Sequence, residues 1–222
     1  MDFSEWEPYY REIVSQLHYS VAEDERAARV LAQAAVGKTL CSPACLAQKI
    51  GPEVTVCGCG LDLEDALRSS EPRGTLIAAD GATSVLLHQA GRVPDIIVTD
   101  LDGAVEDQIS ANAQGAIVIV HAHGDNVPAI ERFMPWFTGR VVLTTQARPL
   151  PTVRNFGGLT DGDRAVMLAR HFGAKRIHLL GFDMSEPREK KGRDPAVKKE
   201  KLKWARKLIW DLNPPGVELS SP

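Results

Sequence analysis

Residues 94–103 read PDIIVTDLDG. Ile96, Ile97, Val98 and Thr99 form a short apolar or β-branched run, and it stops on two aspartates one residue apart, Asp100 and Asp102. A continuous apolar run of this length reads as a fully buried strand. Ending it on negative charge places that charge at the carboxyl end of the strand.

The same unit recurs on both sides. Val54–Cys57 is a short strand followed by Gly58-Cys59-Gly60 and the helical stretch LDLEDALRSS. Thr75–Ala79 ends in Asp80-Gly81 and is followed by ATSVLLHQAG. Ala116–Val120 ends in His121-Ala122-His123-Gly124-Asp125-Asn126 and is followed by VPAIERFMPWF. Val141–Thr145 is a further strand, DGDRAVMLARHF from Asp161 a further helix, and Arg176–Leu180 a strand ending in Gly181-Phe182-Asp183. Apolar strands of four to six residues alternating with helices predict an α/β fold. The expected form is a Rossmann-like, open, mostly parallel sheet with helices on both faces. In such sheets ligands bind beyond the carboxyl ends of the strands, where the polar residues gather here.

Before this core, residues 1–36 read as helical. Trp6, Tyr9, Tyr10, Ile13, Val14 and Leu17 recur at three- and four-residue spacing, and DERAARVLAQAA is a second amphipathic stretch. The segment TLCSPACLAQKIGPE is less regular and breaks at Gly51-Pro52. The chain closes on a basic stretch and a helix, AVKKEKLKWARKLIWDL. We expect one catalytic domain over 1–222, with 1–50 a helical extension and 51–222 the α/β core and C-terminal helix.

Composition narrows the function classes. The chain has 222 residues, 44% hydrophobic, with net charge -3. That is enough apolar material for a core, and the charge argues against nucleic acid or a membrane surface as partner. No apolar run reaches the roughly 18 residues of a membrane span. MDFSEWEPYY does not read as a signal peptide, so a cytoplasmic protein is expected. Cys41, Cys45, Cys57 and Cys59 are spaced C-x3-C and C-x-C, unlike a common zinc site, and read as small buried thiols.

Several carboxylates at one edge repel one another and need a cation. Oxygen ligands suit Mg²⁺, which one or two carboxylates plus substrate phosphates usually hold. Asp100 and Asp102 are the first candidate ligands, with Asp125 a third. The plainer reading of each aspartate is a helix cap or turn former. Gly58 and Gly60 stand where backbone N–H groups could meet phosphate. His121 and His123 flank a turn at a strand end and could meet phosphate or substrate, with either also a candidate base. His88, His171 and His178 read as packing or surface residues. From Arg188 to Lys207 there are ten Lys or Arg against three acids. This reads as a solvated helix face, or as a lid whose Lys191, Arg193 or Lys198 closes over phosphates.

IVTDLDG is similar to the nucleophile motif of haloacid-dehalogenase-type phosphatases, where the first aspartate, here Asp100, attacks. Asp-x-Asp also resembles metal-dependent nucleotide-sugar glycosyltransferases. A-A-D-G-A-T followed by V-P-D-I-I-V-T-D-L-D-G resembles thiamine pyrophosphokinase, with Thr99 in place of that family's Gly and Gly103 in place of its Ser. The fuller resemblance is to the archaeal-type 6-hydroxymethyl-7,8-dihydropterin pyrophosphokinases. It runs through the Trp-containing N-terminal helices, Gly58 to Gly60, Ala79 to Gly81 and Pro94 to Gly103. It continues through His121 to Asn126, Gly158-Leu-Thr-Asp-Gly-Asp-Arg164 and Gly181 to Asp183. Cys59-Gly60-Leu61-Asp62 departs from the expected Gly-Pro-Ser.

That resemblance implies diphosphate transfer from ATP, with Mg²⁺, to a reduced pterin in folate or methanopterin-type cofactor synthesis. On it, Asp80, Asp100, Asp102 and His123 are the catalytic candidates, and Asp100, Asp102 and Asp125 the metal ligands. Gly58, Gly60, His121, Asn126 and Arg164 fall to the nucleotide or its phosphates, and Asp161, Asp163 and Asp183 to the substrate. The expected partners are ATP and a reduced pterin, and a homo-oligomer is left open.

Overall fold

A computed structural model describes residues 1–183 and 195–221. In chain order it comprises α1 (Phe3–Leu17), α2 (Val21–Ala34), β1 (Thr39–Leu40), α3 (Pro43–Lys49), β2 (Glu53–Cys57) and α4 (Leu63–Ser69). There follow β3 (Thr75–Ala79), α5 (Ala82–His88), β4 (Ile96–Thr99), α6 (Val105–Ala113), β5 (Ile117–Ala122) and α7 (Val127–Phe133). The rest is β6 (Arg140–Thr145), β7 (Val153–Arg154), α8 (Asp161–His171), β8 (Arg176–Leu180), α9 (Pro195–Arg206) and β9 (Glu218–Ser220). A π-helical turn, Lys207–Asp211, continues α9.

The strands form one sheet in the order β1-β6-β5-β4-β3-β2-β8-β9, with β7 also on β6, and each of these pairings is parallel. The α/β expectation therefore stands. From β2 the chain steps outward through β3, β4, β5 and β6, then returns to place β8 on the far side of β2. Strand order thus reverses between β2 and β8, and a crevice at such a reversal is where open sheets bind ligands.

Side-chain alternation builds two cores. Ile97, Val118, Val120 and Val141 pack with Leu31, Leu63, Leu86, Val105 and Ile130 on the face of α2 and α4 to α7. Ile96, Val98, Ile117, Ile119 and Val142 pack with Leu46, Val166, Leu168 and Ile209 on the face of α3 and α8. Both faces are covered, so the strands need apolar residues at nearly every position, as the sequence has. A third cluster joins Trp6, Tyr10 and Ile13 of α1 to Ala147, Leu159, Trp204 and Leu208. Full burial of an aliphatic side chain such as Ile13 contributes about 1.5–3 kcal/mol, so this cluster anchors α1 against the end of the sheet.

Four short elements were not foreseen: β1, α3, β7 and β9. Neither was α6. The cysteine expectation is corrected. Cys41 and Cys45 are joined as a disulfide with Cα atoms 5.7 Å apart, because four-residue spacing brings them together at the start of α3. Cys59 is exposed, and only Cys57 is a buried thiol, pushed up to about 12 by burial. Among the described residues, no helix is long and apolar enough to cross a membrane. Lys191 and Arg193 of the proposed lid lie outside the described residues, and Lys198 lies on α9.

Candidate active site

The turn between Asp100 and Asp102 sets where their carboxylates lie. Leu101 takes φ +66°, buried at 2% exposure, with its N–H on Thr99 Oγ1 at 2.9 Å. This left-handed residue reverses the chain, so two aspartates at a strand end converge. Asp80, the residue after β3, also has positive φ, +44°. Backbone strain held at strand ends in this way marks a site where the arrangement is over-determined by its surroundings. One ligand oxygen each from Asp80, Asp100 and Asp102 lies within 4.8 Å of the others.

The surroundings hold Asp80 and Asp100 in place. Asp80 Oδ1 accepts from Thr99 Oγ1 at 3.1 Å and from Gln108 Nε2 at 2.9 Å. Gly103 makes this approach feasible, since a Cβ there would lie 2.6 Å from Asp80 Oδ2 and 2.7 Å from Oδ1. Asp100 Oδ2 is 3.2 Å from His123 Nε2, while Asp100 Oδ1 is buried and meets no donor. His123 Nδ1 accepts the Asp125 N–H at 3.4 Å, which leaves Nε2 as the proton-bearing nitrogen toward Asp100. Both ring nitrogens are thus engaged, and His123 orients Asp100.

The charges are uneven. Burial alone would raise the Asp100 carboxyl. The His123 hydrogen bond and the positive field of Arg164 outweigh it and hold Asp100 below the usual carboxylate range. Asp161, at the first turn of α8, is held well above that range by burial and by repulsion from Asp100. Arg164 opposes this, and Asp80 and Asp102 add to it. Four carboxylates therefore share one field, a condition that a cation relieves. Hard oxygen donors from three aspartates, with Asp100 also carrying a buried oxygen that has no partner, fit Mg²⁺.

His121 is 3% exposed. The Thr144 hydroxyl donates to Val120 O at 3.2 Å, so its oxygen accepts from His121 Nδ1–H at 3.0 Å, and Nε2 is a bare buried acceptor. Burial, then the charge of Arg164, pushes His121 well below the usual histidine range. The unfolded chain binds a proton near pH 6.5 that folded His121 refuses, so stability is lost as pH falls below that value. His171 is lowered too and adds in the same direction. In His121→Gln the fall of urea midpoint between about pH 7 and 5.5 is expected to flatten; a slope equal to that of the native chain contradicts this reading.

Other expected site residues are placed differently. Asp125 is outside the carboxylate group, and Asp80 completes it. The N–H groups of Gly58 and Gly60 donate to Leu180 O and Gly181 O, both at 2.8 Å, so they hold the end of β2 against β8 instead of meeting phosphate. Asn126 is a clip: Nδ2 donates to His121 O at 2.7 Å and Asp100 O at 2.9 Å, and Oδ1 accepts from His123 N at 3.0 Å. Asp163 is fully buried and caps α8, accepting from Leu159 N, Thr160 N and Thr160 Oγ1. Arg164 pairs with Asp161 at 3.0 Å. Asp183 is exposed past β8, its N–H toward Asp62 Oδ1 at 3.4 Å. His88 meets Asp107, His178 meets Glu53 and His171 meets the Met1 carbonyl.

A family model described as 6-hydroxymethylpterin diphosphokinase MptE-like matches residues 46–189. The chain belongs to the MptE-like family. The 6-hydroxymethyl-7,8-dihydropterin pyrophosphokinase of Pyrococcus furiosus is 43% identical over 219 residues, covering 94% of this chain and 93% of that protein. Proteins of the same name from Methanothermobacter thermautotrophicus and Methanocaldococcus jannaschii are 40% and 34% identical. They cover 94% of this chain in each case, and 94% and 95% of their own lengths. These matches decide among the families that Asp-x-Asp-Gly alone resembles.

In this MptE-like chain the matched segment begins within α3 and takes in Asp80, Asp100, Asp102, His123 and Asp161. Residues around the site that sequence reasoning missed are Thr99, Gln108, Gln146 and Asp24. Gln108 lies on unforeseen α6, and a buried glutamine leaves no periodic signal. Asp24 lies before the matched segment, on α2, and reaches the site only through the fold.

Proposed function

We propose that the protein transfers the terminal diphosphate of Mg-ATP to the hydroxymethyl oxygen of 6-hydroxymethyl-7,8-dihydropterin, releasing AMP, as a cytoplasmic enzyme. The observation that carries this reading is the convergence of Asp80, Asp100 and Asp102 at the carboxyl edge of the sheet, with Asp100 Oδ1 buried and unpartnered. The names of the three archaeal relatives support the pterin as acceptor.

Asp80, Asp100 and Asp102 would hold Mg²⁺. When bound, the ion neutralises phosphate charge and draws phosphate oxygens to the edge of the sheet. The substrate hydroxyl oxygen bonds to the β-phosphorus, the bond from that phosphorus to the oxygen of the α-phosphate breaks, and AMP leaves with that oxygen. The hydroxyl proton passes to solvent. Phosphoryl transfer asks the protein mainly for positioning and charge stabilisation. The chain supplies the positioning through Thr99 and Gln108 on Asp80, His123 on Asp100, and the Asn126 clip that joins the ends of β4 and β5.

The test is a product assay with ATP, Mg²⁺ and either the dihydropterin or thiamine as acceptor, separating AMP, ADP and phosphate. AMP formed only with the pterin is expected. AMP with thiamine alone, or inorganic phosphate regardless of acceptor, overturns the proposal.

A further inference from the structure

The loop that carries His123 and Asn126 is held from outside the matched family segment. Asp24 of α2 is 3% exposed, and its carboxylate collects three hydrogen bonds. Oδ1 accepts the Gly124 N–H at 2.8 Å. Oδ2 accepts the Tyr10 hydroxyl of α1 at 2.7 Å and Gln146 Nε2 at 2.8 Å. Gly124 lets α2 come this close, since a Cβ there would lie 2.9 Å from Glu23 Cβ. Burial and the Asp24 carboxylate both raise the Tyr10 hydroxyl above the usual phenol range, so it stays a donor.

Gln146, just past β6, spreads the contact. Its Oε1 accepts from Arg164 Nη2 at 3.4 Å, and Arg164 pairs with Asp161. Its carbonyl accepts Trp6 Nε1 at 2.9 Å. One buried carboxylate therefore ties α1 and α2 to the Gly124 turn, and through Gln146 to Arg164 and Asp161.

We infer that Asp24 is a positioning residue for the transfer reaction: from the N-terminal helices it fixes the Gly124 turn, and so the set of His123 against Asp100. This rests on the diphosphokinase reading. It makes residues 1–34 a working part of the site and not an appended extension. Asparagine at position 24 cannot reproduce the contacts. Its oxygen can keep the Gly124 N–H, but its NH₂ then faces the NH₂ of Gln146. Turning the Gln146 amide to accept from it withdraws Oε1 from Arg164. Combining Asp24→Asn with Gln146→Glu restores complementarity between positions 24 and 146, while the Tyr10 hydroxyl loses its acceptor in the single variant and the pair alike. The amide introduced at position 24 would donate to the carboxylate introduced at position 146, and that carboxylate would still accept from Arg164.

The experiment compares the full-length native chain, Asp24→Asn, and the Asp24→Asn/Gln146→Glu pair, measuring kcat, both KM values and thermal midpoint at a temperature where all three are folded. Pterin-dependent AMP release by the native chain is read first, and its absence removes the diphosphokinase reading itself. Given native turnover, Asp24→Asn is expected to lose at least ~10-fold in kcat, with both KM values within about 3-fold, as positioning effects do. The pair is expected to recover most of that loss. A folded Asp24→Asn with native kcat, or one whose loss lies wholly in KM, overturns the inference. If Asp24→Asn does not fold, the pair decides: native-like kcat is expected, and a folded pair lacking turnover overturns it.

Discussion

Replacing Asp100 by asparagine is expected to lower kcat by roughly 10³-fold, on the order of 4 kcal/mol of transition-state stabilisation. The substitution keeps the shape of the side chain and removes its charge. The native carboxylate is held ionised, below its usual range, against the pull of its own burial. Its Oδ1 is buried with no donor, and one of its oxygens lies within 4.8 Å of oxygens of Asp80 and Asp102, so a neutral amide removes one of the three negative charges that would hold the cation. Asp102→Asn is expected to follow in the same direction. Asp125→Asn should stay within about 3-fold of native, since surface changes away from a site cost little and Asp125 lies outside the three-carboxylate group. Steady-state AMP release by the three variants checks this. A large loss in Asp125→Asn with a small one in Asp100→Asn would reverse the ligand assignment.

Gly103→Ala is expected to have the second-largest effect. The added methyl would sit 2.6–2.9 Å from the Asp80 carboxylate, well inside contact distance. Asp80 cannot retreat freely, because Thr99 and Gln108 hold its Oδ1 and its own backbone is at φ +44°. Overpacking of this kind costs about 1–3 kcal/mol of stability, and moving one carboxylate of three should cost about 10²-fold in kcat. Urea denaturation and AMP release measure the two effects. Native kcat in Gly103→Ala would show that Asp80 is not part of the working cluster.

These predictions also show where the sequence was readable. The parallel strands were plain because both faces are buried, so Ile96 to Thr99 and Ile117 to Val120 carry apolar or β-branched residues throughout. Asp100 and Asp102 were readable as cluster members because they follow a buried strand, whereas Asp125 was expected as the third ligand and Asp80 stands in that place. Helix α6 was not, since its buried positions are Val105, Gln108, Ala111 and Asn112, half of them polar. The strands β1, β7 and β9 are two or three residues long, too short for any period to register. Gly58 and Gly60 read alike for close backbone packing and for phosphate, and their N–H groups are bonded to the end of β8. Asn126 and Asp163 sit among functional-looking residues but tie backbone groups. Asp24 and Gln146, 122 residues apart in sequence, meet only in the folded chain.

On the proposed function, the carboxylate edge directs transfer of a diphosphate and not of a single phosphate. Phosphorus-31 NMR of the reaction with ATP, Mg²⁺ and the dihydropterin reads it directly. One equivalent of AMP is expected for each pterin ester formed, with two coupled phosphorus resonances moving from nucleotide to pterin. ADP together with a pterin carrying one phosphorus, or inorganic phosphate with no phosphorylated pterin, would contradict it.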